Sequence, residues 1–252
     1  MNTHNKSHLK KLVALLFVCS FFSPIHKAQN TTDAKGLKQG YWNVKTKEGK
    51  PHFEGAFNNN IPTGLFTYYY ETGKPKMKMN YFNNGKNAYV EMFHENGKKM
   101  AKGKYTNQKR DSVWNIYDEN ELLLSQEQYL NGKKNGTCKE YYKTGQVAEI
   151  KNYENDVQVG EWKQYFEEGT IKCEGTYNNG FLEGKTVYYF PNGQPSAQGT
   201  HKHAVKHGVW TYYKMNGMVE SRDTFNLGKQ KNVRLDITKE ELEEIRKNQK
   251  EE

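Results

Sequence analysis

Small residues recur every 24 positions along this chain, at Gly40, Gly64, Ala88, Ser112, Gly136, Gly160, Gly184 and Gly208. Nine residues further into each unit stand Gly49, Gly73, Gly97, Glu121, Gly145, Gly169, Gly193 and Gly217. A fixed period of this length is the signature of repeat architectures, in which a unit buries its apolar face only against its neighbours. It displaces the ordinary size argument for a 252-residue chain, because such a molecule grows by adding units and not by enlarging one core.

The large side chains keep the same phase. All four tryptophans, Trp42, Trp114, Trp162 and Trp210, stand two residues after a unit start, and Phe66 takes that place in the second unit. Five residues after the start come Tyr69, Phe93, Tyr117, Tyr141, Tyr165, Tyr189 and Tyr213. Seventeen after it come Phe57, Tyr81, Tyr105, Tyr129, Tyr153, Tyr177 and Phe225, with His201 as the exception. Three aromatic layers of this kind let a chain with only 35% hydrophobic residues build a continuous core. We assign the second-position and seventeenth-position layers to that core. A single-layer sheet has two faces that cannot both be core, so the fifth-position layer, Tyr69 to Tyr213, is the candidate binding face.

Two turn signals divide each unit. Pairs such as Thr72-Gly73 and Asn192-Gly193 mark one, and Asn59-Asn60, Asn83-Asn84, Asn131-Gly132 and Asn179-Gly180 mark the other. Gly and Asn are the residues that best accept a left-handed backbone. The intervening seven to nine residues are rich in Tyr, Phe, Trp and Val and are predicted as strands. The fold expected is all-β: an elongated, twisted antiparallel sheet of eight 24-residue β-hairpin repeats, about 16 strands and roughly 75 Å long before twist. One detail stays open at this point. In Trp210-Thr211-Tyr212-Tyr213 the alternation puts Tyr213 opposite Trp210, so either both faces carry aromatics or a bulge intervenes.

The ends differ from the repeats. Lys6, Lys10 and Lys11 precede the apolar run Leu12 to Cys19, the grammar of an export signal over residues 1–28. Residues 29–39 are expected as a linker, 40–231 as the repeat domain, and 232–252 as a final strand with a capping helix. The helix is predicted from Thr238 followed by Glu241, a capping box, with Leu242 and Ile245 on one side. Removing residues 1–28 takes four lysines and no acid, so the formal charge falls from +9 to +5. The remaining positive charges are scattered among acids, which argues against nucleic-acid binding. Cys138 and Cys173 would remain, either as a disulfide or as two buried thiols.

Segments such as Gly160-Glu161-Trp162-Lys163-Gln164-Tyr165-Phe166-Glu167-Glu168-Gly169, followed by Gly175-Thr176-Tyr177-Asn178-Asn179-Gly180, resemble the variant form of the MORN repeat, found in bacterial proteins often labelled as the YwqK family of antitoxins. The resemblance implies hairpin arrays used in protein or lipid association, and it carries no catalytic residue onto this chain.

The motifs of nucleophilic, phosphate-binding and zinc-protease chemistry are absent. The nearest approach to a metal site is His201 and His203, two residues apart and able to share a face of one strand, with His207 beyond them. Asp111, Glu119, Glu121 and Glu127 are acids outside the repeat pattern. No cofactor and no small-molecule substrate is expected. The function expected is a non-catalytic protein-binding or structural scaffold whose partner is another protein in the envelope, periplasm or secreted space; the alternatives are an antitoxin-like inhibitor, which the resemblance implies, and a weak anionic membrane- or polysaccharide-binding surface.

Overall fold

The structure is a computed structural model that describes residues 30–231. The expected export signal and the expected C-terminal strand and helix lie outside the described residues. Turn residues break the chain into short strands with the alternation the repeat dictates. The first nine are β1 (Thr31–Thr32), β2 (Lys38–Lys45), β3 (Pro51–Asn58), β4 (Ile61–Tyr69), β5 (Pro75–Phe82), β6 (Asn87–Phe93), β7 (Lys99–Thr106), β8 (Lys109–Tyr117) and β9 (Leu123–Leu130). Next come β10 (Lys133–Lys134), β11 (Gly136–Tyr141), β12 (Val147–Glu154), β13 (Val157–Gln158), β14 (Gly160–Tyr165) and β15 (Ile171–Asn178). The series closes with β16 (Phe181–Tyr189), β17 (Pro195–Lys202), β18 (Val205–Tyr213), β19 (Val219–Asn226) and β20 (Lys229–Lys231).

All pairings are antiparallel and join consecutive strands, except that β9 also pairs with β11 past the two-residue β10 and β12 with β14 past the two-residue β13, which makes one elongated, twisted meander. Part of the segment expected as a linker is paired: Thr31 lies opposite Gln39 and Thr32 opposite Lys38. Asp33 closes that turn, its carboxylate accepting the backbone N–H groups of Lys35 and Leu37.

The hairpin register repeats without drift. Gly40 pairs with Phe57, Gly64 with Tyr81, Ala88 with Tyr105, Ser112 with Tyr129, and Gly208 with Phe225. The hairpin loops share one geometry, shown by Gly73 donating to Tyr70 and Tyr70 donating to Lys74. Glu121 takes the glycine's place in that loop with φ +66, a left-handed backbone that costs a side-chain-bearing residue about 1–2 kcal/mol. Its carboxylate accepts the N–H of Lys99 in the neighbouring unit.

Both alternatives for the fifth position hold together. The register slips beside it in each hairpin, as between Tyr212 and Tyr213, and the extra residue stands in the partner strand. The fifth-position side chain therefore stays on the face opposite the tryptophans.

The turns between units, such as Asn59-Asn60, Asn107-Gln108 and Asn155-Asp156, have two residues at positive φ. That is the tight turn whose twist matches the strands. Beyond each such turn the next strand bulges, and the unit-start residue sits at positive φ, from Gly40 (φ 65) to Gly208 (φ 69). Ala88 departs for a visible reason. The β5–β6 turn is longer, with Asn83, Asn84 and Gly85 all at positive φ, and β5 then pairs with β6 in unbroken register. The bulge is gone, and with it the need for glycine.

One face of the sheet is the core. Trp114 and Trp210 have no exposed surface and Phe66 is 1% exposed. Glycines in the preceding strand make this possible, since a Cβ on Gly103 would stand 2.3 Å from the Trp114 ring and one on Gly199 would stand 2.3 Å from the Trp210 ring. The seventeenth-position rings close on the edges: Phe57 on Trp42 and Phe66, Tyr81 on Phe66, Tyr105 on Trp114, and Tyr177 on Trp162. Cations lie over the outer surfaces, with Arg110 4.6 Å from the Trp114 centroid and Lys206 4.5 Å from that of Trp210. Lys134 covers Tyr153 in the same way.

Apolar packing is interrupted at mid-length. Between the cluster around Trp114 and Tyr129 and the cluster around Trp162, Cys173 and Leu182, the core face carries charge. Glu127 binds Lys134 at 2.7 Å and accepts the Tyr129 hydroxyl, while Lys151 joins Glu149 at 2.6 Å and Glu140 at 2.9 Å. Cys138 and Cys173 are both free and buried, and burial pushes the Cys173 thiol up to about 11.

Candidate binding face

Where the core face is closed by its own side chains, the opposite face is open. The fifth-position aromatics Tyr69, Phe93, Tyr117, Tyr141, Tyr165, Tyr189 and Tyr213 line it, all half-buried. Several are tied to the preceding unit. Tyr69 donates to Glu54 at 2.5 Å, Tyr189 to Glu174 at 2.6 Å and Tyr141 to Gln126 at 3.2 Å, while Gln198 donates to the hydroxyl of Tyr213. In the Phe93 unit the partner is Lys78, whose ammonium lies 5.5 Å from the ring centroid. Glu54 also accepts from Tyr41, and these two hydroxyls hold its carboxyl below the usual range. Burial, with Glu54 beside it, pushes the Tyr69 hydroxyl up to about 12. These rings thus lace unit to unit on the open face and are only partly available to a ligand.

A further row of exposed apolar side chains on this face lies outside the three aromatic layers. They stand one residue after the unit start. Leu65 is 58% exposed, Tyr89 60% and Val113 47%, and Phe82 stacks on Tyr89 at 5.1 Å. The equivalent residues further along are Thr137, Glu161 and Lys185, with exposed Val209 in the last unit, so the row is apolar from Leu65 to Val113, polar over the next three units and apolar again at its end. That switch in character was the available signal.

Leu65, Tyr89 and Val113 line a groove of about 820 Å³, with Lys78, Lys102 and Asn115 among its other walls. Two further charges in it are neutralised: Lys104 lies 3.1 Å from Asp111, and Glu91 3.4 Å from Lys99. Lys78 and Lys102 form no ion pair among the described residues. The groove is left with an excess of positive charge beside its apolar row.

The histidines are not brought together. β17 ends at Lys202, so His203 leaves the strand and enters the turn with φ 51. His201 is buried against Trp210, rings 5.0 Å apart, with Nδ1 2.9 Å from the Thr186 hydroxyl. Burial, reinforced by Lys206, lowers its pKa. Its exceptional place in the aromatic layer is thus a core position. Of the four unpatterned acids, Asp111, Glu121 and Glu127 are engaged as described, and the backbone carbonyl of Glu119 accepts from Asn96. Among the described residues no group of three or more His, Cys, Asp or Glu side chains could hold a metal ion, and no helix is long and apolar enough to cross a membrane.

Residues 62–83, 134–155, 158–179 and 182–203 match the family described as MORN repeat variant. No curated protein matches the chain. Among solved structures, the Tc holotoxin pore of Photorhabdus luminescens is similar at 9% identity over 73% of this chain and 11% of that one, with a TM-score of 0.19.

Proposed function

We propose that this MORN-repeat-containing protein is a non-catalytic scaffold that holds another protein against the open face of its sheet. The observation that carries the reading is the exposed row Leu65, Tyr89 and Val113 in a concave, cation-rimmed groove. A row of exposed apolar side chains set among polar and charged neighbours in one groove is the kind of surface a protein partner covers. Among the described residues the opposite face has no comparable row, because its rings cover one another.

The finer form of the reading is an exported chain of eight 24-residue hairpin units acting in the cell envelope or secreted space. It rests on the sequence period and on the N-terminal basic and apolar run. A YwqK-type antitoxin role would be the special case in which the partner is a toxin of the same compartment.

The test is affinity capture at physiological salt with the full chain and with a Leu65→Lys/Tyr89→Lys double variant. Both positions are exposed, so the variant is expected to keep its melting temperature. The full chain should enrich a defined protein that the variant loses. Capture of the same proteins by both would remove the open groove from the account.

A further inference from the structure

The groove has a spacing as well as a chemistry. Leu65 lies on β4, Tyr89 on β6 and Val113 on β8, with β5 and β7 between them. Two steps between neighbouring strands are about 9.4–9.8 Å, so Leu65 and Tyr89, in register through Asn80, stand about that far apart, and Val113 follows two strands on at the register break between Lys102 and Lys104. A polyproline-II chain rises about 3.1 Å per residue with three residues per turn, placing every third side chain on one side about 9.3 Å apart. An extended β-chain puts residues three apart on opposite faces and cannot present them to one row.

Asn80 pairs in register with both Leu65 and Tyr89 and so stands between them in the row. A side-chain amide both donates and accepts, and a polyproline-II backbone leaves its own donors and acceptors unpaired. Lys78 and Lys102 stand on the strands between the apolar residues, displaced to one side of the row.

From this juxtaposition we infer that the groove takes a polyproline-II segment of a partner protein, with an apolar residue at every third position and acidic residues between. This rests on the binding role proposed above and names the partner's chemistry. Leu65, Tyr89 and Val113 receive the apolar side chains, Lys78 and Lys102 meet the acids, and Asn80 contacts the backbone.

The test is a fluorescence-anisotropy titration of the full chain against a labelled peptide of about twelve residues repeating Leu-Glu-Pro. The comparators are the same residues shuffled to break the three-residue spacing, a Leu-Lys-Pro repeat, and vesicles of phosphatidylcholine with phosphatidylserine. The Leu-Glu-Pro repeat should bind saturably and at least about tenfold tighter than either other peptide. Tyr89→Ser, with unchanged circular dichroism, should weaken it by about the same factor, and Val209→Ser, exposed outside the groove, should leave it unaltered. Equal binding by the shuffled or lysine peptide, no binding at all, or indifference to Tyr89→Ser overturns the inference. Vesicle binding that depends on Tyr89, without peptide binding, overturns it in favour of an anionic membrane surface. If no peptide binds but the captured protein is still lost with Leu65→Lys/Tyr89→Lys, the peptide class falls and the binding role stands. If capture is also indifferent to those substitutions, both fall.

Discussion

A tryptophan can lie flat on a neighbouring strand only where that strand has no side chain, which couples Trp114 to Gly103 and Trp210 to Gly199. Gly103→Ala should therefore lower stability by about 1–3 kcal/mol in denaturant unfolding, the usual cost of overpacking a closed core. His201 adds a pH dependence at the same scale. Its folded-state pKa lies below the ordinary value because of burial and the nearby Lys206, so the folded protein binds fewer protons there than the unfolded chain. The stability this contributes is complete above about pH 6.5 and is lost as pH falls through the lowered value. Replacing His201 with Phe, the residue type that fills this layer at Phe57 and Phe225, should flatten the stability profile across that window. The aromatic phase was legible in the sequence because large rings are conspicuous at a fixed period. The glycines beneath them and the cations above them, Arg110 and Lys206, were not, since their meaning depends on the strand next door.

Within each hairpin, backbone handedness decides which residue is tolerated. Ser112 sits at φ 60 in the place glycine usually takes, and Ala88 occupies the same repeat position without positive φ because the β5–β6 turn is longer. The two should respond oppositely to one change. Ser112→Gly should raise stability by up to about 1 kcal/mol by relieving a left-handed side-chain-bearing residue. Ala88→Gly should lower it by about 1 kcal/mol, losing a buried methyl group and adding backbone freedom inside a strand. Melting curves of the two single variants give the signs directly. Strands, turns and the shared hairpin phase could be read from Gly and Asn spacing, but the bulges could not. A two-residue turn followed by a bulge and a four-residue turn without one use the same number of residues, so the period hides the difference. The pair His201 and His203 fell to the same ambiguity, since a turn of two left-handed residues need not contain Asn or Gly and is here His203-Ala204.

Over the whole molecule the sheet divides its two faces between self-packing and display, and its length into apolar halves joined by an ionic seam. Burial raises the Glu127 and Glu149 carboxyls, but Lys134 and Tyr129 at the first, and Lys151 and Trp162 at the second, outweigh it and hold both below the usual value. The seam's stabilisation is thus present above about pH 4.5 and is lost as pH falls through the depressed values. Hydrogen exchange at decreasing pH should show β11 to β14 opening before the strands around Trp114. Simultaneous opening throughout would show that the seam is not a weak point. The exposed row in the groove was not legible from the repeat, because Leu65, Tyr89 and Val113 share no residue type and their exposure depends on how the strands pair. The central claim is that the open face, at Leu65, Tyr89 and Val113, is where a partner protein sits. It is tested most directly by incorporating a photo-crosslinking phenylalanine analogue at Tyr89, and separately at Lys185 on the same face in the polar stretch of the row, in cells producing the full chain. The account predicts one dominant protein adduct from position 89 and none from position 185, and adducts from both alike, or from neither, would contradict it.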